Sequence, residues 1–198
     1  MFQNYSFDGF NVIHIDWILP FQNETFQSYA FRISENMNDE NAILIGLSFG
    51  GMLSVEISKI KKFKKIFLLS SAKIMFEIPL YYRVLGKLNL LKIIPVSFFK
   101  SVNFLTYLVF GAKTNSEKNL LKDIVKNTES SFMKWALHQI INWKNKDFDG
   151  NIVHIQGNRD LILPHYFVKF DYLIDGGTHF MTLNQSKKIE QIILDNLV

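Results

Sequence analysis

Residues Ala42-Ile43-Leu44-Ile45-Gly46-Leu47-Ser48-Phe49-Gly50-Gly51 join a short apolar run to a Gly-x-Ser-x-Gly turn, and an amphipathic stretch follows. The pattern reads as strand, sharp turn and helix. Such a turn holds its central residue in a strained backbone conformation, so the positions two before and two after it must be small, which Gly46 and Gly50 satisfy. Ser48 is thereby presented at the tip. Its hydroxyl stands clear of the sheet, and the start of the next helix aims backbone N–H groups at negative charge developing nearby. The arrangement suits a nucleophile attacking an acyl group; the plainer alternative is a glycine-rich strand-to-helix turn with an incidental serine. A dinucleotide fingerprint would need glycine where Ser48 stands, and a phosphate-binding P-loop would need a Lys-Ser/Thr pair closing the turn.

Working outward, 198 residues at 48% hydrophobic suffice for one domain with a substantial core, and 19 Phe point to an apolar cavity. The net charge of +4 is modest, and its densest knot, Lys61-Lys62-Phe63-Lys64-Lys65, follows a helix whose C-terminal dipole end favours cations. Nucleic-acid binding would want basic residues over one face with stacking aromatics, a pattern not seen here. The absence of Cys excludes disulfides, thiolate metal sites and cysteine nucleophiles. No cluster of His, Asp and Glu has metal-ligand spacing, so neither metal nor cofactor is expected. Residues 1–10 lack the charged and apolar regions of a signal peptide. The greasiest stretch, 96–112, is interrupted by Lys100 and Asn103 and is short for a bilayer crossing. A cytoplasmic protein without a membrane span is the expectation.

Before the elbow, 11–19 is β-branched and aromatic after an Asp8-Gly9 turn signal and stops at Pro20, which predicts a strand. Residues 24–37 place Phe26, Tyr29, Ala30, Ile33 and Met37 on one helical face, with Asn23 available as a cap. After the elbow come a buried helix through Ile60 and a strand at 66–70. Strand, helix, strand, helix, strand implies a parallel sheet covered on both faces, built from right-handed crossovers.

The alternation then stops across 73–150, where 81–94, 96–110, 116–126 and 130–143 read as helices: an inserted helical lid within a core made of 1–72 and 151–198. The aromatics of this segment, among them Tyr81, Tyr82, Phe98, Phe99, Phe104, Tyr107 and Trp135, either line a substrate tunnel or pack among the lid helices. Strands resume at 151–156 and 171–174, and a helix closes the chain at 189–197. The first of these strands leads into Gly157-Asn158-Arg159-Asp160 and the second into Asp175-Gly176-Gly177-Thr178-His179-Phe180. In open α/β sheets ligands bind outside the carboxyl ends of the strands, so Ser48, Asp160 and His179 converge on one place. His14 and His154 lie inside apolar strands and read as structural, while His138 falls in the lid and His165 in a loop.

Gly-Leu-Ser-Phe-Gly-Gly, then Gly-Asn-Arg-Asp, then Gly-Gly-Thr-His-Phe, in the order Ser, Asp, His, resembles the α/β-hydrolase superfamily over residues 11–198. The resemblance implies Ser48 as nucleophile, His179 as general base and later acid, and Asp160 as the carboxylate that fixes the imidazole tautomer; the Phe49 backbone N–H would serve the oxyanion hole. It implies a mostly parallel, doubly wound sheet and hydrolysis of an acyl ester or thioester through an acyl-enzyme, and the aromatic lid points to an apolar acyl group. The alternative is a weakly active or inactive relative that binds apolar ligands or partners. The superfamily also begins with three further strands, the loop after the third carrying a second oxyanion donor, and ten residues before Asn11 cannot hold them. The expectation is an N-terminally truncated sheet in which Met1 is an internal residue of a longer frame, with weak activity and self-association through an uncovered strand.

Overall fold

The structure is a computed structural model, and it describes residues 2, 4–88, 100–148 and 150–197. Among these residues four strands form one parallel sheet: β1 (Ile43–Leu47), β2 (Lys65–Leu69), β3 (Ile152–Gly157) and β4 (Tyr172–Ile174), in that spatial order. One register row runs Leu47, Leu69, Ile155, Tyr172, so the carboxyl ends of β1, β2 and β3 lie close to level.

Alternation along β2 sends Ile66 and Leu68 to one face and Phe67 and Leu69 to the other, all four buried. A strand apolar on both sides needs cover on both sides. Helices α1 (Phe26–Ser34) and α2 (Phe49–Ser58) supply it on the first face through Phe26, Tyr29, Met52, Leu53 and Val55. On the second face Ile189 and Ile193 of the C-terminal helix meet Phe67, Val153 and Ile155, and Phe7 joins them. The Glu190 carboxylate ties the start of the chain there by accepting the Ser6 and Phe7 N–H groups at 2.8 and 2.7 Å.

Residues 11–19 are not a strand. They carry no regular secondary structure, with Ile13 76% exposed and His14 exposed as well. The β-branched run can form a ladder only beside a partner strand, and β1 pairs with β2 alone among the described residues. What holds the segment is local: Ile18 N–H donates to the Tyr29 hydroxyl at 3.3 Å, and that hydroxyl donates back to the Ile18 carbonyl at 3.0 Å. The Trp17 ring leans on Phe49 and Phe132. Helix α1 is capped by Thr25, whose side chain accepts the Ser28 N–H at 3.1 Å, and not by Asn23, which sits in the left-handed region at φ 59°.

Between β2 and β3 stand α3 (Leu80–Lys87), α4 (Phe104–Phe110), α5 (Asn115–Asn127) and α6 (Ser130–Asn142). Capping boxes at Asn103 and Thr114 open α4 and α5 by satisfying their first free N–H groups. Of the helix expected over 96–110, residues 101–103 are not helical and the Asn103 cap opens α4 after them. The parts of the expected helices at 89–94 and 96–99, with Phe98 and Phe99, lie outside the described residues. Two helices end the chain, α7 (Met181–Asn184) and α8 (Ser186–Asp195). Among the described residues no helix is long and apolar enough to cross a membrane.

Candidate active site

Ser48 sits between the last residue of β1 and the first of α2 with φ 53° and ψ −119°, a conformation that is costly for a residue with a Cβ. Hydrogen bonds hold it there. Its N–H donates to the Leu69 carbonyl at 2.9 Å, and its carbonyl accepts the Ser71 hydroxyl at 2.7 Å as well as the Gly51 N–H at 2.9 Å. The steric demand for glycine falls differently from the motif's symmetry. A Cβ on Gly46 would collide with the Gly50 carbonyl and the Ser54 hydroxyl, and one on Gly51 would strike Ser71; on Gly50 it would meet only the Trp17 ring, at an ordinary 3.7 Å.

The loops that follow β3 and β4 are interlocked. Gly157 and Gly177 touch backbone to backbone, so that a Cβ on either would run into the other, and the Arg159 N–H donates to the Gly177 carbonyl at 2.8 Å. This brings Asp160 and His179, 2% and 5% exposed, side by side. His179 Nδ1 lies 2.8 Å from Asp160 Oδ2, and His179 Nε2 lies 3.0 Å from Ser48 Oγ. The three residues singled out from the sequence therefore form one hydrogen-bonded line.

Burial alone would raise the Asp160 carboxyl, but the facing His179, its hydrogen bond and the N–H groups of Leu163 and Ile162 outweigh it. They hold Asp160 below its ordinary value. The Leu163 and Ile162 N–H groups both donate to Oδ1 at 2.9 Å. With Asp160 ionised, the His179 ring carries its proton on Nδ1 and turns a free Nε2 lone pair to the Ser48 hydroxyl. Phe49 opens α2, where a backbone N–H has no intrahelical acceptor.

A cavity of about 60 Å³ adjoins Ser48 and His179, walled by Met52, Ile78, Tyr82, Ile140 and Leu163. The inserted helices thus contribute Tyr82 from α3 and Ile140 from α6. Burial, then Tyr81 and the Asp160 charge, push the Tyr82 phenol up to about 12, so it remains a protonated donor. The other aromatics of the segment divide. Tyr81 rings against Tyr82 and Phe167, Trp135 joins the core beside Tyr29 and Phe49 and donates its indole N–H to the Glu24 carbonyl at 2.8 Å, and Phe104 is 79% exposed. A wider open groove of about 730 Å³, lined by Lys113, Glu117, Asn184 and Lys187 among others, includes none of the three site residues.

Two contributors were not visible as such in the sequence reading. Ser71, which clamps the elbow, follows an apolar strand as an ordinary Ser-Ser pair. Gln156 is the better signalled: a polar side chain inside an apolar strand, fully buried here. His154, in the same strand, is held by the Lys169 carbonyl 3.0 Å from its Nδ1 and also interacts with the Gln156 side chain. Among the described residues no group of three or more His, Asp and Glu could hold a metal ion.

No family model matches the chain, and no curated protein does. Solved structures do resemble it. A lipase-esterase related protein from Clostridium acetobutylicum is 16% identical, with a TM-score of 0.61 over 88% of this chain and 76% of that one. A bromoperoxidase from Bacillus anthracis is 15% identical, with a TM-score of 0.59 over 88% and 75%, and an esterase from Exiguobacterium antarcticum is 12% identical, with 0.60 over 87% and 74%. The chain has the α/β-hydrolase fold. In the α/β-hydrolase fold the elbow and the two following loops occupy one edge of the sheet, the edge where Ser48, Asp160 and His179 meet here.

Proposed function

We propose that this chain is a serine hydrolase that cleaves an ester or thioester of a small apolar acyl group through an acyl-enzyme. The observation that carries the reading is the unbroken line from Ser48 Oγ through His179 to Asp160, at 3.0 and 2.8 Å. In the forward step Ser48 Oγ attacks the acyl carbon while its proton passes to His179 Nε2. Asp160 keeps the Nδ1 proton in place and offsets the imidazolium charge. The Phe49 N–H, at the positive end of α2, faces the oxyanion. His179 then gives its proton to the leaving oxygen or sulfur. A water activated by the same ring releases the acid and frees Ser48.

The inserted helices act as a lid over this site, with Tyr82 and Ile140 forming the acyl wall. The wall is apolar, which selects apolar acyl groups over charged peptides. The test is covalent labelling by a fluorophosphonate. Wild type is expected to take up one equivalent at Ser48 and Ser48→Ala none; labelling that survives the substitution, or a wild type that never labels, overturns the reading in favour of a binding protein on the same fold.

A further inference from the structure

Gln156 lies near the end of β3, 0% exposed, with a polar amide that the chemistry above leaves unused. Its Nε2 donates to the Leu163 carbonyl at 2.7 Å and to Asp160 Oδ2 at 3.3 Å. Both partners are acceptors, which settles which end of the amide bears the nitrogen. Asp160 Oδ1 takes the N–H groups of Ile162 and Leu163, so all four acceptor directions of the carboxylate are in use: two by backbone, one by His179 and one by Gln156. Leu163 is gripped twice, at its N–H by Asp160 and at its carbonyl by Gln156. A carboxylate can turn about its Cβ–Cγ bond; the Ile162 and Leu163 N–H groups restrain that turn at Oδ1, and Gln156 adds the restraint at Oδ2, the oxygen that faces His179.

We propose that Gln156 is a positioning residue: its amide locks the Asp160 carboxylate in the plane that points Oδ2 at His179 Nδ1, and stitches the Leu163 loop to β3 so that the plane is kept during turnover. The kinetic part of this rests on the serine-hydrolase reading; the geometric part does not. The ionisable groups around the pair leave the role to Gln156. His154 lies two residues back on β3, beside Lys73 and Asp171 and in hydrogen-bonding contact with the Gln156 side chain, and burial pushes it down to about 4, leaving it neutral near pH 7. Tyr81 and Tyr82 approach from α3 and are raised, hence uncharged.

The test compares wild type with Gln156→Leu and Gln156→Glu, reading kcat and KM against pH and, independently of turnover, the NMR signal of the His179 Nδ1 proton shared with Asp160. Gln156→Leu is expected to lower kcat about tenfold with KM within about twofold, and to broaden or shift that proton, because Oδ2 loses the one donor it has besides His179 and is held less firmly toward Nδ1. Gln156→Glu carries a donor when protonated and a second negative charge when ionised. Its kcat should exceed that of the Leu variant near pH 5.5, and any decline relative to wild type should come on raising the pH. A Leu variant with unchanged kcat and an unchanged Nδ1 proton overturns the proposal. So does a Glu variant no better than Leu at any pH; if the Leu variant does not fold, this comparison is made between the Glu variant and wild type. If wild type shows no turnover, the serine-hydrolase reading fails and the NMR comparison alone decides for or against Gln156.

Discussion

Gly111 and Thr178 are in contact. Gly111 ends α4 in the left-handed region at φ 76°, and a Cβ there would collide with the Thr178 side chain. Thr178 directly precedes His179, whose ring also meets Phe110 edge-on at 5.7 Å. The C-terminus of α4 therefore sets the position of the loop that carries the proposed base.

Gly111→Ala should combine backbone strain of about 1–3 kcal/mol with a push on Thr178. Melting should fall by roughly 2–4 °C per kcal/mol lost, and ester turnover should drop with it. Gly9→Ala is the control, since Gly9 has φ 85° but nothing within 4 Å of the added carbon. It should lose stability and keep turnover. Equal turnover in the two variants, measured per folded molecule, would show that the Gly111 contact does not reach His179.

Asp160→Asn leaves the Ile162 and Leu163 N–H donors a carbonyl to bond, but offers the imidazole an amide. The tautomer is then lost, and kcat should fall by about 10⁴-fold with KM little changed. Steady-state kinetics on an activated ester measures this. A loss under tenfold would remove Asp160 from the mechanism.

Acid should act on stability through the same carboxyl. Asp160 sits below its ordinary value in the folded chain, so the folded state binds its proton less readily than the unfolded state does. Its contribution is fully present above the ordinary carboxylate value of about 3.9 and is lost as pH falls through the lower folded value. Denaturant unfolding of wild type and Asp160→Asn at pH 7 and at successively lower pH should show the wild-type advantage shrinking on acidification.

Acyl length should be read sharply by a cavity of only about 60 Å³. Each methylene that fits adds about 0.8 kcal/mol of binding until the space is filled, so acetyl and propionyl esters should outperform octanoyl ones in kcat/KM. Ile140→Ala should move the optimum to a longer chain. Indifference to acyl length in both proteins would place the acyl group elsewhere.

The elbow was legible because its chemistry is local: Gly46 is small for a backbone contact that lies four residues away in the chain. Asp160 and His179 were legible because strand ends converge in a parallel sheet wherever the strands themselves fall. Residues 11–19 were misleading for the opposite reason. Val12, Ile13 and Ile15 declare an aptitude for pairing, but a ladder depends on a neighbour that no stretch of sequence announces about itself. The inserted helices lie between these cases. Trp135 and Tyr82 have equally apolar surroundings in sequence, and only the packing sends one to the core beside Tyr29 and the other to the wall beside Ser48.

The contact between Gly157 and Gly177 has a consequence for motion. It mounts Asp160 and His179 on one bracket at the β3 and β4 side of the sheet, whereas Ser48 rides on β1, at the opposite edge. Any shear between the two sides of the sheet would therefore fall on the bond between serine and histidine and spare the bond between histidine and aspartate. The proposed nucleophile would then be engaged and released without turning the imidazole, as a clutch disengages a shaft that keeps its alignment.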